Sequence, residues 1–183
     1  MKEKWRKQYR NQRRLFQETA PNLHKDYSLE IAKKVTQILP DEGLVASYLA
    51  FDAEVDLTWL NRALMQQNRL LLPGVHDSYQ ALHFFHVTEK TAFKTSSHGM
   101  QEPKPTDNAL WPDVVLVPLV AFGPTGVRLG FGKGHYDRTF SKVEKRPTLI
   151  GIGFSMSYCS ALTSETHDIP LNMVVTEKRV HTY

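Results

Sequence analysis

Apolar positions in DYSLEIAKKVTQIL, residues 26–39, recur at Leu29, Ile31, Val35, Ile38 and Leu39, a spacing that lines one side of a helix. Residues 2–18 also have helix-forming composition; Pro21 separates the two segments, and Pro40 with Gly43 ends the second. Beyond them the period changes. LVASYLAF, 44–51, is a continuous apolar run of strand length; DLTWLNRALMQQN, 56–68, is amphipathic at helical spacing; RLLLP, 69–73, is a second short apolar run. That order predicts a parallel strand–helix–strand unit. ALHFFHV, 81–87, predicts a further strand.

Residues 94–112, KTSSHGMQEPKPTDNALWP, are polar and rich in Pro and Gly, and predict a long functional loop or an irregular crossover. DVVLVPLVAF, 113–122, is the most apolar strand of the chain. Pro118 has no N–H to give a neighbouring strand, so the strand is expected to end, bend or bulge there. GPTG makes a turn, YDRTFSKV, 136–143, opens a helix, and TLIGIGF, 148–154, is another buried strand. MVVTE, 173–177, and RVHTY, 179–183, are short terminal strands. With no repeat and no linker, the expectation is a single α/β domain over 1–183. It would hold a mainly parallel sheet with helices on both faces, a three-layer sandwich.

Composition narrows the class. Hydrophobic residues make up 41% and charged residues 23% of the 183, which excludes a disordered chain. No apolar run is long enough to span a bilayer, and MKEKWRKQYRNQRR lacks the apolar region of a secretory signal. Cys159 is the one cysteine, so no internal disulfide is possible, and the expectation is a cytoplasmic monomer with no membrane partner. The net charge of +4 is concentrated in Lys2, Lys4, Arg6, Lys7, Arg10, Arg13 and Arg14, against Glu3 alone. Such a block is either a solvated helix face or a site for a polyanion, whether nucleic acid or a nucleotide triphosphate. Eight histidines are present, but none has a zinc spacing with Cys159. His83 and His86, three apart in a strand, point to opposite faces.

The segment with chemistry in it is RLGFGKGHYDR, Arg128 to Arg138. Gly130, Gly132 and Gly134 alternate in it, Lys133 stands between the last two, and Asp137 follows within a turn. Glycine lets a backbone approach a ligand with no Cβ in the way, and successive N–H groups form a concave anion site. The loop follows the most apolar strand, and ligands of open α/β sheets bind at strand carboxyl ends. Neither familiar phosphate motif fits: the spacing is G-x-G-x-G, and Lys133 is followed by Gly134 instead of Ser or Thr.

With VPLVAF before it, this segment resembles the signature of the 5-formyltetrahydrofolate cyclo-ligase family, R-L-G-x-G-x-G-Y-Y-D-R after a buried strand. SYLAFDAEVD, 47–56, the pair Glu102-Pro103 and HDIPLNMVVTE, 167–177, are similar to other family segments in order and distance, and the basic N-terminal helix completes the likeness. One departure is His135, at the first position of the usual Tyr-Tyr pair.

The resemblance implies ATP-dependent conversion of 5-formyltetrahydrofolate to 5,10-methenyltetrahydrofolate, with ADP and phosphate released and Mg2+ accompanying ATP. It implies a nucleotide site of Lys2, Arg6, Arg128, Leu129, Gly130, Phe131, Gly132, Lys133, Gly134, His135 and Tyr136. Arg128 and Lys133 would be its catalytic cations, and Asp137 and Asp168 its metal ligands; Asp168 serves equally well as a turn residue. The folate would meet Leu49, Glu54 and the segment Phe131 to His135. Leu49 is equally well explained as core, and without the resemblance Glu54 reads as a solvated loop acid. Trp111 and Tyr136 are aromatic candidates for stacking. The expected partners are thus the folate and ATP, with no nucleic acid; the rivals are a different ATP-dependent small-molecule kinase or ligase on the same fold, and a polyanion or nucleic-acid binder using the basic helix.

Overall fold

Two long helices, α1 (Lys2–Thr19) and α2 (Pro21–Ile38), open the chain in a computed structural model that describes residues 1–75, 81–95, 99–106, 108–141 and 143–183. The second helix starts five residues before the expected 26. Proline at a first helical position loses no hydrogen bond and arrives with a helical φ, so Pro21 begins α2 instead of merely breaking the chain. Between the helices Ala20 has φ −139° and ψ 59°, and its N–H still reaches Phe16 O.

The strands are β1 (Val45–Ala46), β2 (Leu70–Val75), β3 (Leu82–His86), β4 (Phe93–Thr95), β5 (Gln101–Pro103), β6 (Ala109–Leu110), β7 (Val114–Pro118), β8 (Ala121–Phe122), β9 (Arg128–Leu129), β10 (Thr148–Ile152), β11 (Met173–Val175) and β12 (Val180–Thr182). Eight of them form one sheet in the order β12-β11-β10-β7-β1-β2-β3-β6. From β11 to β2 every pairing is parallel, and β12, β3 and β6 add antiparallel margins. The predicted unit is present: β1 pairs parallel to β2, with α3 (Thr58–Gln66) between them in sequence. Central strands buried on both faces need no alternation, which is why β7 reads as an unbroken apolar run.

On one face, Ile31 and Val35 of α2 and Leu60 and Leu64 of α3 pack on Val45, Leu70, Leu72, Val114, Leu116, Ile150 and Ile152. The other face is covered thinly, by Phe140 of α4 (His135–Phe140) and Phe122 of β8 with Leu119, Ile169 and Leu171 from connecting chain. Helices therefore occupy both faces, though unequally. α1 joins the first of these layers through Phe16, which packs on Phe154, and seats Trp5 and Tyr9 against a third cluster of Leu129, Cys159 and Leu162.

Two expectations change and one is made definite. Regular pairing of the 44–51 run stops after Ala46; the chain then leaves the sheet, though Ser47 N–H still reaches Leu71 O at 2.9 Å. The 113–122 run ends at Pro118, one of the outcomes expected there, and Ala121–Phe122 turns away to pair with Arg128–Leu129. The expected loop over 94–112 contains a small ladder of β4 with β5 and the edge strand β6. Residues 96–98 and 107 of that stretch, and residue 142 of the helix expected over 136–143, lie outside the described residues. Among the described residues no helix is long and apolar enough to cross a membrane.

Candidate active site

Both halves of the site grow from the carboxyl ends of adjacent parallel strands, the usual ligand crevice of an open α/β sheet. After β7 the chain passes Pro118 and returns through β9 into the glycine loop; after β1 it runs through residues 47–54 to Glu54. The glycine loop borders a cleft of about 430 Å³ whose lining includes Lys2, Arg6, every residue from Arg128 to Arg138, and Asp168. Thus all the nucleotide and metal candidates from the sequence meet in one place, although Lys2 and Asp168 stand at opposite ends of the chain.

The loop is held by its carbonyls. Arg6 Nε donates to Gly130 O at 3.0 Å, and Arg138 Nη2 donates to Lys133 O, which fixes the peptide planes on either side of Phe131 and Gly132. Gly132 has φ +97°, and a Cβ there would stand 3.3 Å from the Arg6 guanidinium carbon. Gly130 has no such need; a Cβ on it would meet nothing within 4 Å, so its side opens on the cleft.

The cations of the cleft carry partners. Arg128 donates to Asp137 Oδ1 at 2.8 Å and to Ile169 O at 2.7 Å, while Ile169 N–H reaches the same Asp137 oxygen at 3.0 Å. Lys2 Nζ lies 2.9 Å from Asp168 Oδ2 and 3.1 Å from Glu165 Oε1. Burial works against ionisation of Asp168, but the Glu165 N–H and the Lys2 ammonium outweigh it and hold its carboxyl below the ordinary value. Burial likewise disfavours the Lys2 ammonium, and its contacts with Asp168 and Glu165 more than compensate, raising it.

Of the two metal candidates, Asp168 sits in an acidic group with Glu165 and His167, their ligand atoms all within 4.8 Å of one another. Asp137 stands apart from that group, paired with Arg128. Two carboxylates beside a cleft lined by Lys2, Arg6 and the glycine loop suit a hard cation that takes oxygen ligands, so the donor chemistry fits Mg2+. Glu165 was not singled out by the sequence, where an acid in a polar turn carries no distinguishing signal.

Neither Glu54 nor Leu49 lines the cleft. Glu54 is 6% exposed, which removes the reading as a solvated acid, and Leu49 is 36% exposed, which removes the reading as core. Glu54 Oε2 accepts Phe51 N–H at 3.0 Å. Burial pushes its carboxyl up to about 7, against the opposing charge of Arg13 and the Phe51 hydrogen bond. Burial and then the Glu54 charge both raise the Tyr136 hydroxyl, so the acid and the cleft share an electrostatic environment. Trp111 packs edge-on against Phe84 and Phe140, outside the lining of the cleft.

What the sequence did not reveal is the turn before Glu54. Asp52 collects Arg10 Nε at 2.8 Å, Arg14 Nε, and Arg13 Nη2 at 3.5 Å, and Arg13 Nε donates to its carbonyl at 3.0 Å. Burial opposes the Asp52 charge, and the hydrogen bonds of Arg10 and Arg14 with the charges of Arg10 and Arg13 prevail, so its carboxyl is lowered. The available signal was the spacing of residues 10, 13 and 14, which puts three arginines on one helix face. Lys2, Arg6, Arg10, Arg13 and Arg14 are thereby all engaged within the fold, which withdraws much of the basic block from a polyanion face.

Comparison with known proteins gives the family. The chain is similar to the 5-formyltetrahydrofolate cyclo-ligase of Haemophilus influenzae, at 32% identity over 134 residues covering 69% of this chain and 72% of the relative. It is 34% identical to that of Escherichia coli K12 over 143 residues, 74% of this chain and 79% of the other. The NMR structure of Aquifex aeolicus 5,10-methenyltetrahydrofolate synthetase superimposes with a TM-score of 0.83 at 28% identity, covering 99% of this chain and 92% of that one. The model of the 5-formyltetrahydrofolate cyclo-ligase family matches residues 1–177, and the chain belongs to that family.

Proposed function

We propose that the protein converts 5-formyltetrahydrofolate and ATP to 5,10-methenyltetrahydrofolate, ADP and phosphate. The observation that carries this reading is the convergence of Lys2, Arg6, Arg128 and the Gly130–Tyr136 loop on one cleft, in a chain of this family. The N5-formyl oxygen attacks the γ-phosphorus, forming a P–O bond as the β–γ bridging bond breaks and ADP leaves. N10 then adds to the activated formyl carbon and loses its proton, the C–O bond breaks, and phosphate departs. An amide oxygen leaves poorly; a phosphorylated one leaves well.

Catalysis of such a transfer is mostly positioning and charge stabilisation. Gly130, Gly132 and Gly134 let phosphate approach the backbone. Lys133 and Arg128 stabilise charge on the transferred group, and Asp137 keeps Arg128 oriented through its 2.8 Å ion pair. Lys2 and Arg6 reach the nucleotide, and Lys2 turns from Asp168 to phosphate as ATP enters. Leu129, Phe131, His135 and Tyr136 complete the walls for nucleotide and folate. Asp168 with Glu165 would hold Mg2+, which would shield the phosphate charges, while Asp137, the other candidate, is given to Arg128. Glu54 as a carboxylate accepts the pterin amino and ring N–H groups, with Leu49 against the ring.

The test is direct. Protein, 5-formyltetrahydrofolate and Mg-ATP are mixed and the near-ultraviolet absorbance of the methenyl product is followed. ATP-dependent product, reduced at least about 100-fold in kcat for Lys133→Ala, supports the reading. No product from folded protein that still binds ATP sinks it.

A further inference from the structure

Arg10 touches two segments that lie far apart in the chain. Its Nε donates to Asp52 Oδ2 at 2.8 Å, and its guanidinium carbon lies 4.9 Å from the centre of the Phe131 ring in the glycine loop. Arg13 repeats both contacts from deeper in, 3.5 Å from Asp52 Oδ2 and 5.9 Å from the Phe131 ring centre. The turn they grip is held against its own preference. Asp52 and Ala53 take φ of +55° and +60° in succession, a left-handed conformation that L side chains resist and that persists only where the surroundings impose it. The surroundings here are the arginines on Asp52, whose side chain is 4% exposed, and His24, whose Nε2 lies 3.1 Å from Ala53 O. The next residue is Glu54.

We propose that Arg10, with Asp52 and Phe131, is a positioning bridge that ties the glycine loop to the turn carrying Glu54, so that nucleotide and folate bind cooperatively. A nucleotide that fixes Phe131 fixes the aromatic face on which Arg10 rests, and Arg10 in turn fixes Asp52 and the strained turn. Folate bound at Glu54 does the same in reverse, since coupling between two binding sites is reciprocal. The bridge rests on the functional reading above, in which Phe131 walls the cleft that takes the nucleotide and borders the folate, and Glu54 holds the pterin end of the folate.

The experiment measures the Kd of a non-hydrolysable ATP analogue with and without saturating 5-formyltetrahydrofolate, and the reciprocal pair. In the wild type the folate is expected to tighten the analogue by about fivefold or more. In Arg10→Met, which keeps the apolar stem and loses both contacts, that ratio is expected to fall by at least about twofold, Arg13 keeping the remainder through its own contacts with Asp52 and Phe131, while the Kd for analogue alone changes by about twofold or less. Arg10→Lys keeps a charge but not the flat stack, and retains part of the ratio. Phe131→Leu, which leaves the arginine cage on Asp52 intact, is expected to lose the ratio too, and it decides the matter should Arg10→Met not fold. A wild-type ratio near one, or the full ratio kept in Phe131→Leu and in folded Arg10→Met, overturns the bridge. Loss of methenyl formation by the wild type would overturn the assigned reaction instead, and is read in a separate assay.

Discussion

Gly130 and Gly132 stand two residues apart and ask different things of a side chain. At Gly132 a Cβ would have to adopt φ +97° and crowd the Arg6 guanidinium, so Gly132→Ala is expected to cost about 1–3 kcal/mol of stability. At Gly130 the space is empty and the φ ordinary, so Gly130→Ala should melt at the wild-type temperature or slightly above, yet bind Mg-ATP more weakly because its methyl occupies the cleft. Thermal melts with ATP titrations check the pair; equal destabilisation by both would refute the division. Glu54 makes a pH prediction of definite sign. Its carboxyl is raised by burial from 4.5 to about 7, so across that window the folded chain keeps a proton that the unfolded chain has lost. The contribution to stability is therefore full below the lower value and is lost as pH rises through the upper one. Folate affinity should move the other way, rising through about pH 7 as the carboxylate becomes able to accept pterin N–H groups. Urea unfolding and folate binding at about pH 5 and about pH 8 test both, and Glu54→Gln should flatten each trend.

Among the elements, α1 matters most because it supplies Lys2 and Arg6 to the cleft and Arg10 and Arg13 to the turn before Glu54. Its seat depends on aromatic packing: Phe154, just past β10, lies 5.4 Å from Phe16 of α1 and 4.9 Å from His24 of α2, ring centre to ring centre. Phe154→Ala removes a ring that is 1% exposed and is expected to cost about 3–5 kcal/mol by denaturant unfolding. It should also weaken both substrates together, since the helix supports both proposed sites. These elements were legible to different degrees. The apolar runs announced β7 and β10 because a strand covered on both faces needs nothing but apolar residues. They overstated β1, since burial continues through Ser47 and Tyr48 after the regular pairing with β2 and β7 has ended. Pro21 misled because proline stops one helix and starts another by the same missing N–H. The glycine loop stood out by its unusual composition. The Asp52 cage did not, because an ion pair between residues 10 and 52 is written in neither local pattern, and a basic helix looks alike whether its charges face water, phosphate or a buried acid.

For the whole molecule the deciding quantity is where positive charge goes. A chain of sequence pI about 9.1 suggests polyanion binding, yet the arginines at 10, 13 and 14 converge on Asp52, and Lys2 on Asp168 and Glu165. Attraction spread over a surface and recognition in a cleft differ in salt dependence and in what a single substitution does. A polynucleotide held by scattered cations loses affinity steeply with salt and hardly notices one lysine. A triphosphate seated on the glycine loop depends on Lys133 and is partly shielded from salt by the cleft walls. Mg-ATP at about 100 times its Kd should add about 2.7 kcal/mol, since only the folded state binds it. For a chain of this size that raises Tm by roughly 5–10 °C. Lys133→Ala should lose most of that rise, while a polynucleotide at about 0.15 M salt should raise Tm by less than about 1 °C in either protein. A polynucleotide shift as large as that of Mg-ATP and indifferent to Lys133 would move the protein's chemistry out of the cleft and onto its basic surface.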